Sequence, residues 1–135
     1  LARLKERDLD LVCANPDIVV DRGEKRVYCG GAIAGAYTEM GGRSHYFGKP
    51  HAPIYDLART RLDGLADHQI LAVGDGLLTD IKGANDQGID ALFVTGGIAY
   101  ERCGPSIDNP QSELVTKLLA ETDGQAIGAM ARLIW

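Results

Sequence analysis

The sequence predicts an α/β fold in which helices cover both faces of a parallel sheet, and three observations carry that expectation. From residue 52 onward, stretches of helical periodicity alternate with short apolar runs, the rhythm of a parallel α/β sheet. The runs Gln69–Val73 and Ala91–Thr95 are continuously apolar rather than alternating, as strands buried on both faces are. Asn15, Asp75 and Gly96 all stand at the carboxyl ends of such runs, where ligands bind in open parallel sheets.

The elements follow in order. Leu1–Arg7 has apolar residues at i and i+3 among charges and reads as the tail of a helix that begins upstream. Leu9–Ala14 is a buried strand that runs into the turn cluster Asn15-Pro16-Asp17. Ile18–Val20 and Arg26–Tyr28 form a hairpin around Asp21-Arg22-Gly23-Glu24. Cys29-Gly30-Gly31 opens a helix over Ala32–Met40, which Gly41-Gly42 stops. After a brief strand at His45–Phe47, Ala52–Leu65 carries a helical stripe of Ile54, Leu57, Ala58, Arg61, Leu62 and Leu65. The strand Gln69–Val73, the helix Thr79–Gln87 and the strand Ala91–Thr95 then alternate, and Glu113–Glu121 and Gln125–Ile134 read as closing helices. The rhythm changes near Phe47, which suggests two parts, residues 1–46 and 47–135.

Composition narrows the class. With 45% hydrophobic residues the 135-residue chain can bury a core, and a net charge of −5 without any basic stripe argues against nucleic acid. The apolar runs are too short to cross a bilayer, which argues against a membrane protein. Cys13, Cys29 and Cys103 are odd in number and widely spaced, which speaks against a disulfide framework or zinc site and for a reducing cytoplasm. Leucine rather than methionine at position 1, together with the helix-tail pattern of Leu1–Arg7, leads us to expect a fragment.

Three clusters are candidates for chemistry. Gly74-Asp75-Gly76-Leu77-Leu78-Thr79-Asp80 places two carboxylates just beyond a strand, where they can share one hard cation that keeps part of its water shell; alternatively Thr79 or Asp80 caps the following helix. Lys49 in Gly48-Lys49-Pro50 stands where a strand gives way to a helix and can hold an anion, or is a surface lysine beside a helix start. Asn15 and Asp17 line a pocket, or bond their own backbone in an Asx-type turn. His45, His51 and His68 lack metal-ligand spacing.

In this order, strand-Asn-Pro-Asp, a Gly-Gly-started helix, Gly-Lys-Pro, Gly-Asp-x-x-x-x-Asp-Ile-x-Gly-Ala and strand-Thr-Gly-Gly resemble the haloacid dehalogenase superfamily, and within it subfamily IIA. That subfamily includes phosphatases acting on sugar phosphates, p-nitrophenyl phosphate and pyridoxal phosphate. The resemblance implies that residues 1–46 are the C-terminal part of an α/β cap and 47–135 the C-terminal part of a Rossmann-like core. It implies that Lys49 steadies a phosphoryl group and that Asp75 and Asp80 bind Mg2+. Asn15 and Asp17 would belong to the cap loop that selects a small phosphorylated substrate. The family's nucleophile, in an Asp-x-Asp motif after the first core strand, and its Thr or Ser motif have no counterpart here and would lie upstream of Leu1. The parent enzyme would hydrolyse a phosphoester through a phosphoaspartate, and the fragment alone would be inactive. It would self-associate or pair with its missing N-terminal half.

Two other readings stay open. One is a receiver-like phosphate-binding module, although a receiver's lysine follows its aspartates whereas Lys49 precedes Asp75. The other is a non-catalytic α/β scaffold.

Overall fold

The computed structural model describes residues 1–22 and 25–134, and the chain divides into two compact units at Leu57/Ala58. Helix α1 (Ala2–Glu6) leads into β1 (Leu11–Cys13), which lies parallel to β4 (Ser44–Tyr46) with Val12 opposite His45. Between them, β2 (Val19–Arg22) and β3 (Lys25–Tyr28) make the expected antiparallel hairpin; the Gly23-Glu24 turn lies outside the described residues. Helix α2 (Gly30–Glu39) buries Ala34 and Tyr37, which with Cys13 make up the buried apolar side chains of this unit among the described residues. The Tyr37 hydroxyl donates to the carbonyl of Leu9, and Gly41 takes the left-handed conformation (φ +81°) that ends α2 where the glycine pair predicts. The strand expected to be buried is buried on one side only: Val12 is 67% exposed, because a two-stranded sheet packed against one helix leaves its other face open.

The second unit contains a three-stranded parallel sheet of order β5-β6-β7: β5 (Leu71–Gly74), β6 (Asp90–Val94) and β7 (Gly128–Met130). Its core consists of Ile81, Ala84, Ile89, Ala91, Phe93, Thr95, Cys103, Val115 and Leu118, with Phe93 fully buried at the centre of β6. Burying a side chain of that size contributes ~1.5–3 kcal/mol. Helix α4 (Lys82–Asp86) contributes Ala84 and α5 (Ser112–Glu121) contributes Val115 and Leu118 to this core. The α/β class and parallel sheet are as the sequence predicts.

Four local expectations are corrected. Helix α3 (Ala52–Arg59) stops well short of Leu65, because Asp63 and Gly64 adopt positive φ and turn the chain. The helix placed over Thr79–Gln87 begins instead with a π-helical turn over Leu77–Ile81, in which the Gly76 carbonyl accepts from the N–H groups of both Asp80 and Ile81. Strand β5 exposes Leu71 and Val73, which share one face of the sheet that is left partly uncovered; among the described residues β5 is hydrogen-bonded to β6 alone. Finally, Gln125–Ile134 is not a helix. Glycines at 124 and 128 weaken a helix there, and parallel pairing satisfies the backbone: Ile127 N–H donates to Ala91 O, and Thr95 N–H to Met130 O.

Candidate active site

In the first unit the carboxyl ends of the parallel strands carry two of the three clusters. The chain leaves β1 into Asn15-Pro16-Asp17 and leaves β4 into the turn Gly48–His51, which is closed by a hydrogen bond from His51 N–H to Gly48 O. The two loops touch: a Cβ on Gly48 would lie 2.3 Å from Pro16 Cδ and 2.5 Å from the Ala14 carbonyl. Only glycine permits this approach, which brings the Lys49 turn beside Asn15 and Asp17. Lys49 is exposed on that turn, and the rings of Tyr46 and His51 stack with centroids 5.2 Å apart. Asn15 Oδ1 accepts from the Asp17 N–H at 3.1 Å, so the Asx-turn alternative holds geometrically; Asn15 Nδ2 is directed at Cys29 Sγ.

In the second unit Asp75 and Asp80 meet at the tip of β5. Asp75 is the first residue past the strand, and its Oδ2 accepts the main-chain N–H of Ile98, from the β6 exit, at 2.9 Å. A Cβ on Gly97 would fall 1.9 Å from that same oxygen, so the Asp75 carboxylate occupies the space that a side chain at 97 would need. Asp80 folds back from the π-helical turn, and its Oδ2 accepts from Gly76 N–H at 3.0 Å. A Cβ on Gly74 would stand 2.2 Å from Asp80 Cγ. The capping alternative is thus realised as well: Asp80 satisfies a donor at the start of its own turn while remaining at the strand tip. Two half-buried carboxylates, each held by a main-chain N–H and each seated against a glycine, suit a hard cation that takes the rest of its ligands elsewhere. Among the described residues no group of three or more His, Cys, Asp or Glu gathers for a metal.

A cavity of 280 Å³ opens at this carboxyl edge, walled by Gly74 and Asp75 from β5, Gly96 and Gly97 from β6, and Ala131 and Arg132 after β7. A larger one, of 530 Å³, lies at the opposite, amino-terminal edge among Asp86, Asp90 and Asp123. We place the site at the smaller, because Asp86 at the larger is paired with Lys82, whereas the glycines and directed main-chain N–H groups are at the strand tips. Sequence reading missed Ile98 and Arg132. A main-chain donor leaves no trace in residue type, and Arg132 sits in the segment misread as helix.

Other acidic and thiol groups are engaged within the fold. Asp8 and Asp10 have Asp-x-Asp spacing but precede β1, and both bind Arg43. The hydrogen bond from His45, followed by that from Arg43, holds the Asp10 carboxyl below its ordinary range. Cys103 is buried, and burial pushes its thiol up, away from nucleophilic character at neutral pH. Among the described residues no helix is long and apolar enough to cross a membrane.

The model of the HAD-hydrolase-like family matches residues 46–121. A haloacid dehalogenase-like hydrolase from Brucella suis 1330 superposes with a TM-score of 0.70 at 36% identity, over 98% of this chain and 47% of that one. The glycerol phosphate phosphatase of Mycobacterium tuberculosis, solved in complex with calcium, superposes with a TM-score of 0.58 at 32% identity, over 69% of this chain and 27% of that one. The dihydroxyacetone phosphatase of Corynebacterium glutamicum (strain R) is 26% identical over 89 residues, which are 65% of this chain and 32% of that protein. The chain thus spans about a third of the curated relative and less than half of these solved structures.

Proposed function

The chain belongs to the HAD-hydrolase-like family, and from that premise we propose that it is part of a subfamily IIA phosphatase that hydrolyses a small phosphate monoester. The observation that carries this reading is the pair Asp75 and Asp80, seated by glycines and main-chain N–H groups at one strand tip inside the matched region. In this reading residues 1–46 belong to the cap and 47–135 to the core, with the nucleophilic aspartate outside this chain.

Asp75 and Asp80 would hold Mg2+, which when bound supplies positive charge to the phosphoryl oxygens. Ile98 N–H keeps Asp75 turned toward the β6 exit, and Gly76 N–H keeps Asp80 against the tip of β5. Lys49, on its turn beside Asn15 and Asp17, would neutralise a phosphoryl oxygen, and the Asn15–Asp17 loop would contact the rest of the substrate. Phosphoryl transfer depends mainly on such positioning and charge neutralisation. The named activities of the Mycobacterium and Corynebacterium relatives favour a three-carbon phosphate. We place the parent in the cytoplasm, as its three free cysteines favour.

The test compares the 135-residue chain with a longer form that includes the upstream segment. The longer form should release phosphate from p-nitrophenyl phosphate in a magnesium-dependent manner, with Asp75→Asn lowering kcat/KM at least about a hundredfold. The short chain should release none. Turnover by the short chain that Lys49→Ala abolishes would place the nucleophile inside these residues and overturn the assignment.

A further inference from the structure

We propose that Arg132 is a substrate-binding residue that grips an oxyanion of the phosphorylated substrate in the cavity it shares with Asp75; this deepens the phosphatase reading and rests on it. Arg132 reaches the site because the last segment is a strand. β7 delivers Ala131 to the carboxyl edge, where Gly96 N–H donates to the Ala131 carbonyl at 3.0 Å. Gly96 is what lets the chain come so close, since a Cβ there would lie 2.3 Å from that carbonyl oxygen. The next residue, Arg132, then lines the 280 Å³ cavity that Asp75 also lines.

The guanidinium is also oriented. Its Nε donates to Asp108 Oδ1 at 2.6 Å, which holds one edge of the fork while the side chain stays 54% exposed. An arginine anchored through Nε presents its terminal nitrogens as a planar donor pair, the geometry that matches a carboxylate or phosphoryl group. The cavity is slightly smaller than the ~300 Å³ at which drug-sized pockets begin, so it suits a substrate of a few heavy atoms. A cation that shares a cavity with a carboxylate proposed to hold Mg2+ serves a ligand that carries negative charge to both.

The oxyanion belongs either to the phosphoryl group or to a carboxylate on the organic part, and substrates distinguish the two. In the longer form, glycerol phosphate and phosphoglycerate are compared for wild type, Arg132→Met and Arg132→Lys. Arg132→Met should raise KM about tenfold with kcat little changed, and Arg132→Lys should recover part of the loss. A rise for both substrates assigns Arg132 to the phosphoryl group; a rise for phosphoglycerate alone assigns it to the carboxylate. A second readout needs no turnover. In the 135-residue chain, the Arg132 Nε–H resonance should shift on titration with phosphoglycerate, and Asp108→Asn should weaken that response. Unchanged KM for both substrates in Arg132→Met overturns the proposal. If the longer form hydrolyses no phosphate ester, the phosphatase reading fails separately, and an unmoved Arg132 resonance then overturns this one.

Discussion

The main-chain N–H of Ile98 donates to Oδ2 of Asp75 at 2.9 Å, and the carboxylate rests where a side chain on Gly97 would have to be. The exit of one strand therefore orients the first residue beyond its neighbour, and the site depends on a glycine that contributes no functional group.

Gly97→Ala is the sharpest test of that relationship. A Cβ 1.9 Å from Asp75 Oδ2 must push the carboxylate aside. We expect kcat/KM of the longer form to fall about tenfold to a hundredfold, and the melting temperature of the short chain to fall as well, because the added Cβ would also lie 2.3 Å from Asp75 Cβ. An unaltered rate would mean that the orientation of Asp75 is not used.

Magnesium should bind the 135-residue chain weakly, since the described residues gather no third acidic or imidazole ligand around Asp75 and Asp80. Titration calorimetry should show millimolar affinity that Asp75→Asn removes. One tight magnesium, indifferent to Asp75→Asn, would contradict the assignment.

Phe93 is fully buried at the centre of the second unit, so Phe93→Ala should destabilise that unit by ~3–5 kcal/mol through lost burial and a residual cavity. Denaturant unfolding measures it. A loss below about 1 kcal/mol would mean that the strand is not packed as described.

Arg59 forms a two-pronged ion pair with Asp67 (Nε–Oδ1 2.9 Å, Nη2–Oδ2 3.2 Å) and also reaches the side chain of Gln87. The hydrogen bonds from Arg59 hold the Asp67 carboxyl below its ordinary range. A depressed folded pKa gives stability that is present above the unfolded pKa and lost as pH falls through the folded one. Arg59→Met should thus lower the melting temperature by a few degrees at neutral pH. The gap should narrow as pH falls below the ordinary aspartate range and close once the depressed folded carboxyl is itself protonated. A gap independent of pH would assign the effect to packing of the arginine stem.

Strand β5 is paired on one side only, with Leu71 46% and Val73 41% exposed. Such an edge is a template for another strand. Sedimentation of the short chain should therefore reveal association, which the edge charge of Val73→Lys reduces and co-expression of the upstream segment relieves. A monodisperse monomer that melts cooperatively would show that the edge is content without a partner.

The candidate residues at the strand ends were legible because their spacing is local. Asp75 and Asp80 lie five positions apart across a strand end, and Gly48-Lys49-Pro50 sits at a change of period; both patterns survive without knowledge of what packs where. The hairpin, the glycine stop of α2 and the apolar β6 were legible for the same reason. Burial was less so. Val12, Leu71 and Val73 read as core because an apolar run does not say whether its second face finds a cover.

What the sequence determined by itself was the α/β class, most of its elements up to the helix over Ser112–Glu121, and which polar residues stand at the strand tips, since these follow from periodicity, turn residues and side-chain type. Tertiary structure alone decided the rest. Gln125–Ile134 held enough apolar residues for a helix, but backbone pairing with β6, a partner some 35 residues away, made it β7 and carried Arg132 to the cavity of Asp75. The donor from Ile98, the approach of Gly48 to Ala14 and the fold-back of Asp80 onto Gly76 are also contacts of main chain or empty space. Residue identity does not encode such contacts, because every residue type but proline carries the same N–H, and only packing settles which one points at a carboxylate.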